Sequence, residues 1–140
     1  MDNIIELLRE KANDPGFEAG RPSNIRRIAI NGDEVVLQFQ NGRQQMVNIV
    51  YSQSHYRLIS VILRRGVVAQ IDRESLLPSI WRRNRSTDLV AFEIDKYGRL
   101  IGAIEHPMRT ADADELLYYL EQLAWECDKL EYLLSGRDQV

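Results

Sequence analysis

The side chains best suited to chemistry are few: His55, His106 beside Glu105, the lone Cys127, and the acids Asp112, Asp114 and Glu115. A Glu–His pair orients an imidazole for base catalysis only where the two side chains meet. Neighbours on a strand point to opposite faces, so Glu105 and His106 would be parted there, and both histidines read as ordinary surface or loop residues. A nucleophilic cysteine needs an electropositive, partly exposed setting. Cys127 stands instead on an apolar helical stripe among acids, as an inert packed thiol does. Asp112, Asp114 and Glu115 lack the glycine and alternating ligands of a calcium loop. In the first turn of a helix they complement its dipole. Arg64-Arg65-Gly66 and Ser135-Gly136 hold isolated glycines, not a phosphate loop. No catalytic, cofactor-binding or metal-ligating residue is expected, and no enzyme.

Charge is the more informative feature. Residues 57–85 carry seven arginines against Asp72 and Glu74, and residues 111–140 carry eight acids against Lys129 and Arg137. Arg82, Arg83 and Arg85 follow Trp81, whose indole would be available for base stacking. The alternative is that these arginines pair with acids of the chain or of a partner. A net charge of −3 argues against a generally basic nucleic-acid binder.

The element that positions most of these groups is a helix expected over residues 112–135. Leu116, Leu120, Leu123, Cys127, Leu130 and Leu134 recur at helical spacing and form one apolar stripe. Leu117, Ala124 and Leu133 widen that face. Glu121, Gln122, Glu126, Asp128 and Lys129 are expected to leave it. Asp112 and Glu115 have the spacing of a capping box, and Gly136 suits a left-handed C-cap. Tyr118, Tyr119, Trp125 and Tyr132 put aromatic surface on further sides. Either a partner or the N-terminal helix would cover it.

Ile4, Ile5, Leu7 and Leu8 predict that N-terminal helix over residues 2–12. Asn13-Asp14-Pro15-Gly16 stops it, and Gly20, Pro22 and Ser23 continue a loop. Strands follow around Ile28 and Ile30, from Val35 to Phe39, through Met46, Val47, Ile49 and Tyr51, and from Tyr56 to Leu63, the last read as more buried. Asn31-Gly32-Asp33 is a tight turn, and Asn41-Gly42 predicts a type I′ hairpin. A middle helix over about residues 73–83 presents Leu76, Leu77, Ile80 and Trp81. Asp72 would cap it, or it would begin near Leu77 with Pro78 at the tolerated first position. Leu89, Ala91 and Ile94 form a strand, Lys96-Tyr97-Gly98 a turn, and residues 100–104 its partner. The expectation is one α+β domain over residues 1–140, ordered α-βββ-α-ββ-α, with an antiparallel sheet of about five strands. The N-terminus lacks a signal-peptide pattern, and no apolar run approaches the roughly 18–20 residues of a membrane span. A single cysteine suits a reducing compartment, so a cytoplasmic location is expected.

This order, with Asn84 closing the middle helix, resembles the YbjN family of bacterial proteins. The matching runs are Leu-Val-Ala-Phe-Glu-Ile, Lys96-Tyr97-Gly98, Asp114-Glu115-Leu116-Leu117, and the stretch from Asp128-Lys129-Leu130 to Ser135-Gly136. Asn41-Gly42-Arg43 fits more loosely. YbjN-like proteins look like type III secretion chaperones in fold. The resemblance therefore implies a homodimeric, non-enzymatic protein-binding module, regulatory or stress-related, with a client protein as partner and no cofactor. Trp81, Arg82, Arg83, Arg85, Tyr118, Trp125 and Tyr132 are the expected contact positions. A nucleic-acid-contacting regulator using Arg82 to Arg85 is the alternative.

Overall fold

The computed structural model describes residues 3–12 and 25–135. Helix α1 (Asn3–Ala12) precedes four strands: β1 (Ile25–Asn31), β2 (Glu34–Phe39), β3 (Gln44–Tyr51) and β4 (His55–Leu63). A single turn, α2 (Arg65–Val68), leads to α3 (Arg73–Ser86). Then come β5 (Ala91–Ile94), β6 (Leu100–Pro107), a 3-10 turn at Met108–Thr110 and the long α4 (Ala113–Ser135). All pairings are antiparallel, in the order β1-β2-β3-β4-β6-β5. The α+β class is as expected, but the sheet has six strands. The segment around Ile28 and Ile30 is a full edge strand paired with β2, which the expected order had left out. The stops expected at Asn13 to Gly16, the loop residues Gly20, Pro22 and Ser23, and the Gly136 cap lie outside the described residues.

Period-two alternation builds the sheet's inner face. Val35, Leu37 and Phe39 of β2, Val47 and Ile49 of β3, and Tyr56, Leu58 and Ile62 of β4 are buried in one cluster with Leu116, Leu120, Leu123, Cys127 and Leu130 of α4. Ile5 and Leu8 of α1, and Leu76 and Ile80 of α3, join the same cluster. Asp112 caps α4 as expected, its carboxylate accepting from the Glu115 N–H at 3.2 Å. Asp72 likewise caps α3 through the Glu74 N–H, so that helix begins before Pro78, which sits inside it.

Several local expectations are corrected. Asp128 does not leave the apolar face; it is buried, because Arg43 grips it. The Phe39 N–H bonds the Arg43 carbonyl at 2.8 Å, so residues 40–42 form a three-residue loop, not a type I′ turn. Gly42 supplies the positive φ that this loop needs. On β5 the inward residues are Phe92 and Ile94, while Ala91 faces out. On β3, Met46 is exposed and Gln45 takes the inner position. Its Nε2 donates to Ser60 Oγ at 2.9 Å and to the Val61 carbonyl at 3.2 Å, and Ser60 Oγ donates to the Met46 carbonyl at 2.7 Å.

Candidate functional site

The expected contact residues divide between two flanks of α4. On one flank lies α3. Leu76 and Ile80, four apart, point into the core, which turns Leu77 and Trp81 outward. These two were expected on the buried face, and Trp81 is 60% exposed. The Arg85 guanidinium stacks 4.8 Å from the indole centroid. Arg82 and Arg83 turn towards α4. With Ser79 and Ser86 they border a groove of about 400 Å³ whose other wall is Leu130, Leu133 and Leu134. Leu133 is 65% exposed, and the buried Nε of Arg83 has no hydrogen-bond partner. Among the described residues no carboxylate pairs with Arg82, Arg83 or Arg85.

Tyr118, Trp125 and Tyr132 recur every seven residues along the opposite flank. Trp125 packs edge-on against Phe39, with centroids 5.8 Å apart, so it serves the core more than a partner. Tyr132 lies under the Arg43 guanidinium at 4.7 Å, and Tyr118 stays exposed. Helix α1 packs against α4 within the chain, while Tyr118 and Tyr132 remain more than half exposed. The other basic residues of the arginine-rich stretch lie elsewhere. Arg57 bonds Glu93 at 3.1 Å across the sheet, and the Arg65 side chain lies against Gly98.

A third surface was not foreseen. The helices pack into one cluster on the inner side of the sheet. On the other side, Val36 pairs with Met46, Ile59 with Ala103, and Val61 with Ile101, although Ala103 and Ile101 are themselves buried. These residues alternate with the core positions and so face away from α4. Met46 and Val50 are 47% and 54% exposed. The signal was present in β4, whose apolar run fills both faces of the strand.

One polar cluster sits where β4 and β6 meet the start of α4. His106 is half-buried rather than an ordinary surface histidine. Its Nε2 lies 3.2 Å from Glu115 Oε1 and 3.0 Å from Thr110 Oγ1. Its ring packs between Tyr56 and Tyr119, both 5.4 Å away. Burial pushes both phenols above their ordinary value, which keeps them protonated at neutral pH and poor as bases or nucleophiles. Glu105 points the other way and is exposed. Burial also pushes the Cys127 thiol up, as expected of a packed residue. His55 is exposed at the start of β4. Among the described residues no three His, Cys, Asp or Glu side chains converge as a metal site, and no helix is long and apolar enough to cross a membrane.

No protein-family model matches the chain, and no curated protein matches it in sequence. Solved structures similar to it include three complexes. One is a chain of the HopA1–SchA chaperone–effector complex, with 13% identity over 96% of this chain and 97% of that one and a TM-score of 0.49. Another comes from the complex of the Yersinia pestis type III secretion chaperone SycH with a stable fragment of YscM2, with 15% identity, coverage of 86% and 92%, and a TM-score of 0.46. The third is a chain of the ExsC–ExsE complex, with 16% identity, coverage of 88% and 89%, and a TM-score of 0.42.

Proposed function

We propose that this chain is a non-enzymatic, chaperone-like protein-binding module that works as a homodimer, in the manner implied by its resemblance to YbjN-like proteins. The observation that carries the reading is the outer face of the sheet, where Val36, Met46, Val50, Ile59 and Val61 are apolar and at least partly open. On soluble proteins, large exposed apolar patches mark interaction sites, and here Asn48 and Arg57 are the polar residues set among the apolar ones. An apolar client segment would lie across Met46 and Val50 and exclude water from the row of Ile59 and Val61. The binding energy would come from apolar burial, at roughly 25 cal/mol per Å² before the ordering cost of the client.

The test is suppression of aggregation when a chemically denatured model protein is diluted into buffer, followed by light scattering. The wild type is expected to suppress scattering at near-equimolar ratio. Met46→Lys/Val50→Lys, with unchanged circular dichroism, is expected to lose that effect. Equal suppression by both proteins removes the outer face from the mechanism, and no suppression by either defeats the reading.

A further inference from the structure

We propose that the groove between α3 and α4 docks a partner segment in which apolar side chains are flanked by aspartates or glutamates. This rests on the protein-binding reading and names a second contact, with its own chemistry, on the opposite side of the sheet from the outer face.

The groove is built from two unlike walls. Leu130, Leu133 and Leu134 supply an apolar wall at positions three or four apart, while Arg82 and Arg83 supply a cationic one; the Ser79 and Ser86 hydroxyls beside them already donate to the Ser75 and Arg83 carbonyls. Arginine forks suit carboxylates, and these two lack a carboxylate partner among the described residues. Of the α4 acids near this wall, Glu131 lies on the Arg43 side of the helix. Glu126 pairs with Lys129, and Asp128 pairs with Arg43 on the far flank. An acidic, apolar segment would fill the volume with aliphatic side chains and neutralise the rim. Nucleic acid fits less well, since the pocket wall is aliphatic and Arg85 already covers the exposed indole of Trp81.

The experiment uses the full chain and three fluorescent probes: a leucine-containing peptide flanked by aspartates, the same peptide flanked by lysines, and a single-stranded oligonucleotide. Fluorescence anisotropy at physiological salt is expected to show binding of the aspartate-flanked peptide alone. Arg82→Glu/Arg83→Glu is expected to weaken it about tenfold or more. Leu133→Asn, which leaves the arginines in place, is expected to weaken it as well. Equal binding of the lysine-flanked peptide, or tighter binding of the oligonucleotide, overturns the proposal. A fall in sedimenting mass for Arg82→Glu/Arg83→Glu with unchanged peptide affinity also overturns it, by making the groove a seam between copies. If the aspartate-flanked peptide fails while the wild type still suppresses aggregation, the groove proposal falls and the protein-binding reading stands. If both fail, both fall.

Discussion

Arg43, in the loop joining β2 to β3, closes on Asp128 of α4, with Nη2 2.7 Å from Oδ2 and Nε 3.1 Å from each carboxylate oxygen. The carboxylate is buried, while the guanidinium is about half open and rests on Tyr132. These hydrogen bonds hold Arg43 above its ordinary pKa. Removing one partner of such a pair costs more than the pair contributes, because the other charge is left uncompensated. Arg43→Ala is therefore expected to cost about 2 kcal/mol, discounted for the exposure of Arg43, and to lower Tm by roughly 8 °C. Arg43→Met/Asp128→Leu recovers most of that in calorimetry. Equal loss in the single and double variants would contradict the account.

Gly102 lies on the inner face of β6 with no room for a side chain. An added Cβ would collide with the Cys127 sulfur and crowd Leu123 and Phe92 at 3.3 Å. Gly102→Ala is expected to destabilise by about 1–3 kcal/mol. Gly102→Ala/Cys127→Ala should be more stable than Gly102→Ala alone in urea denaturation, since the shorter side chain vacates the space. No rescue would place the strain elsewhere.

Asn84 closes the free edge of β5. Its Oδ1 accepts from the Phe92 N–H at 2.7 Å, and its Nδ2 donates to the Phe92 carbonyl at 3.0 Å. The side chain thus substitutes for a neighbouring strand. Asn84→Ala is expected to cost about 1 kcal/mol and to speed exchange of the Phe92 amide about fivefold. Asn84→Asp keeps the acceptor and should show a smaller effect on that amide.

Asp95 anchors the β5–β6 turn. Burial pushes its pKa up, but hydrogen bonds from the Arg99 side chain and from the Arg99 and Tyr97 amides outweigh burial and leave it lowered. A carboxylate with a lowered folded pKa contributes stability above its unfolded value of about 4, and loses it as pH falls through the folded value. Asp95→Asn should therefore be less stable than the wild type at pH 7, with the gap narrowing below about pH 4. Urea midpoints at pH 7 and pH 3 check this; a gap of constant size contradicts it. Glu131 has the opposite sign. Burial and the nearby Asp128 raise it, so Glu131→Gln should be no less stable than the wild type at neutral pH.

Much of this architecture was legible where period and local chemistry act within a few residues. The stripe from Leu116 to Leu130, the Asp112 and Asp72 caps, and the glycine turns at Gly32 and Gly98 all lie within one helix or hairpin. The pairings that give the fold its specificity act across the chain and leave no local mark. Nothing near Asp128 announces Arg43, and nothing near Gly102 announces Cys127. Asn84 looked like a helix terminator because its partner is a strand eight residues on. The candidate site was legible only in part. Arg82 and Arg83 do line a groove, but Trp125 serves the core, and the outer face showed only as an unusually apolar β4.

The most direct measurement compares two affinity columns at physiological salt, one carrying the wild type and one Met46→Lys/Val50→Lys, loaded with nuclease-treated cytosol. The account predicts one or a few proteins retained by the wild type and lost from the double variant. Retention of the same proteins by both columns, or retention of none by the wild type, would contradict it.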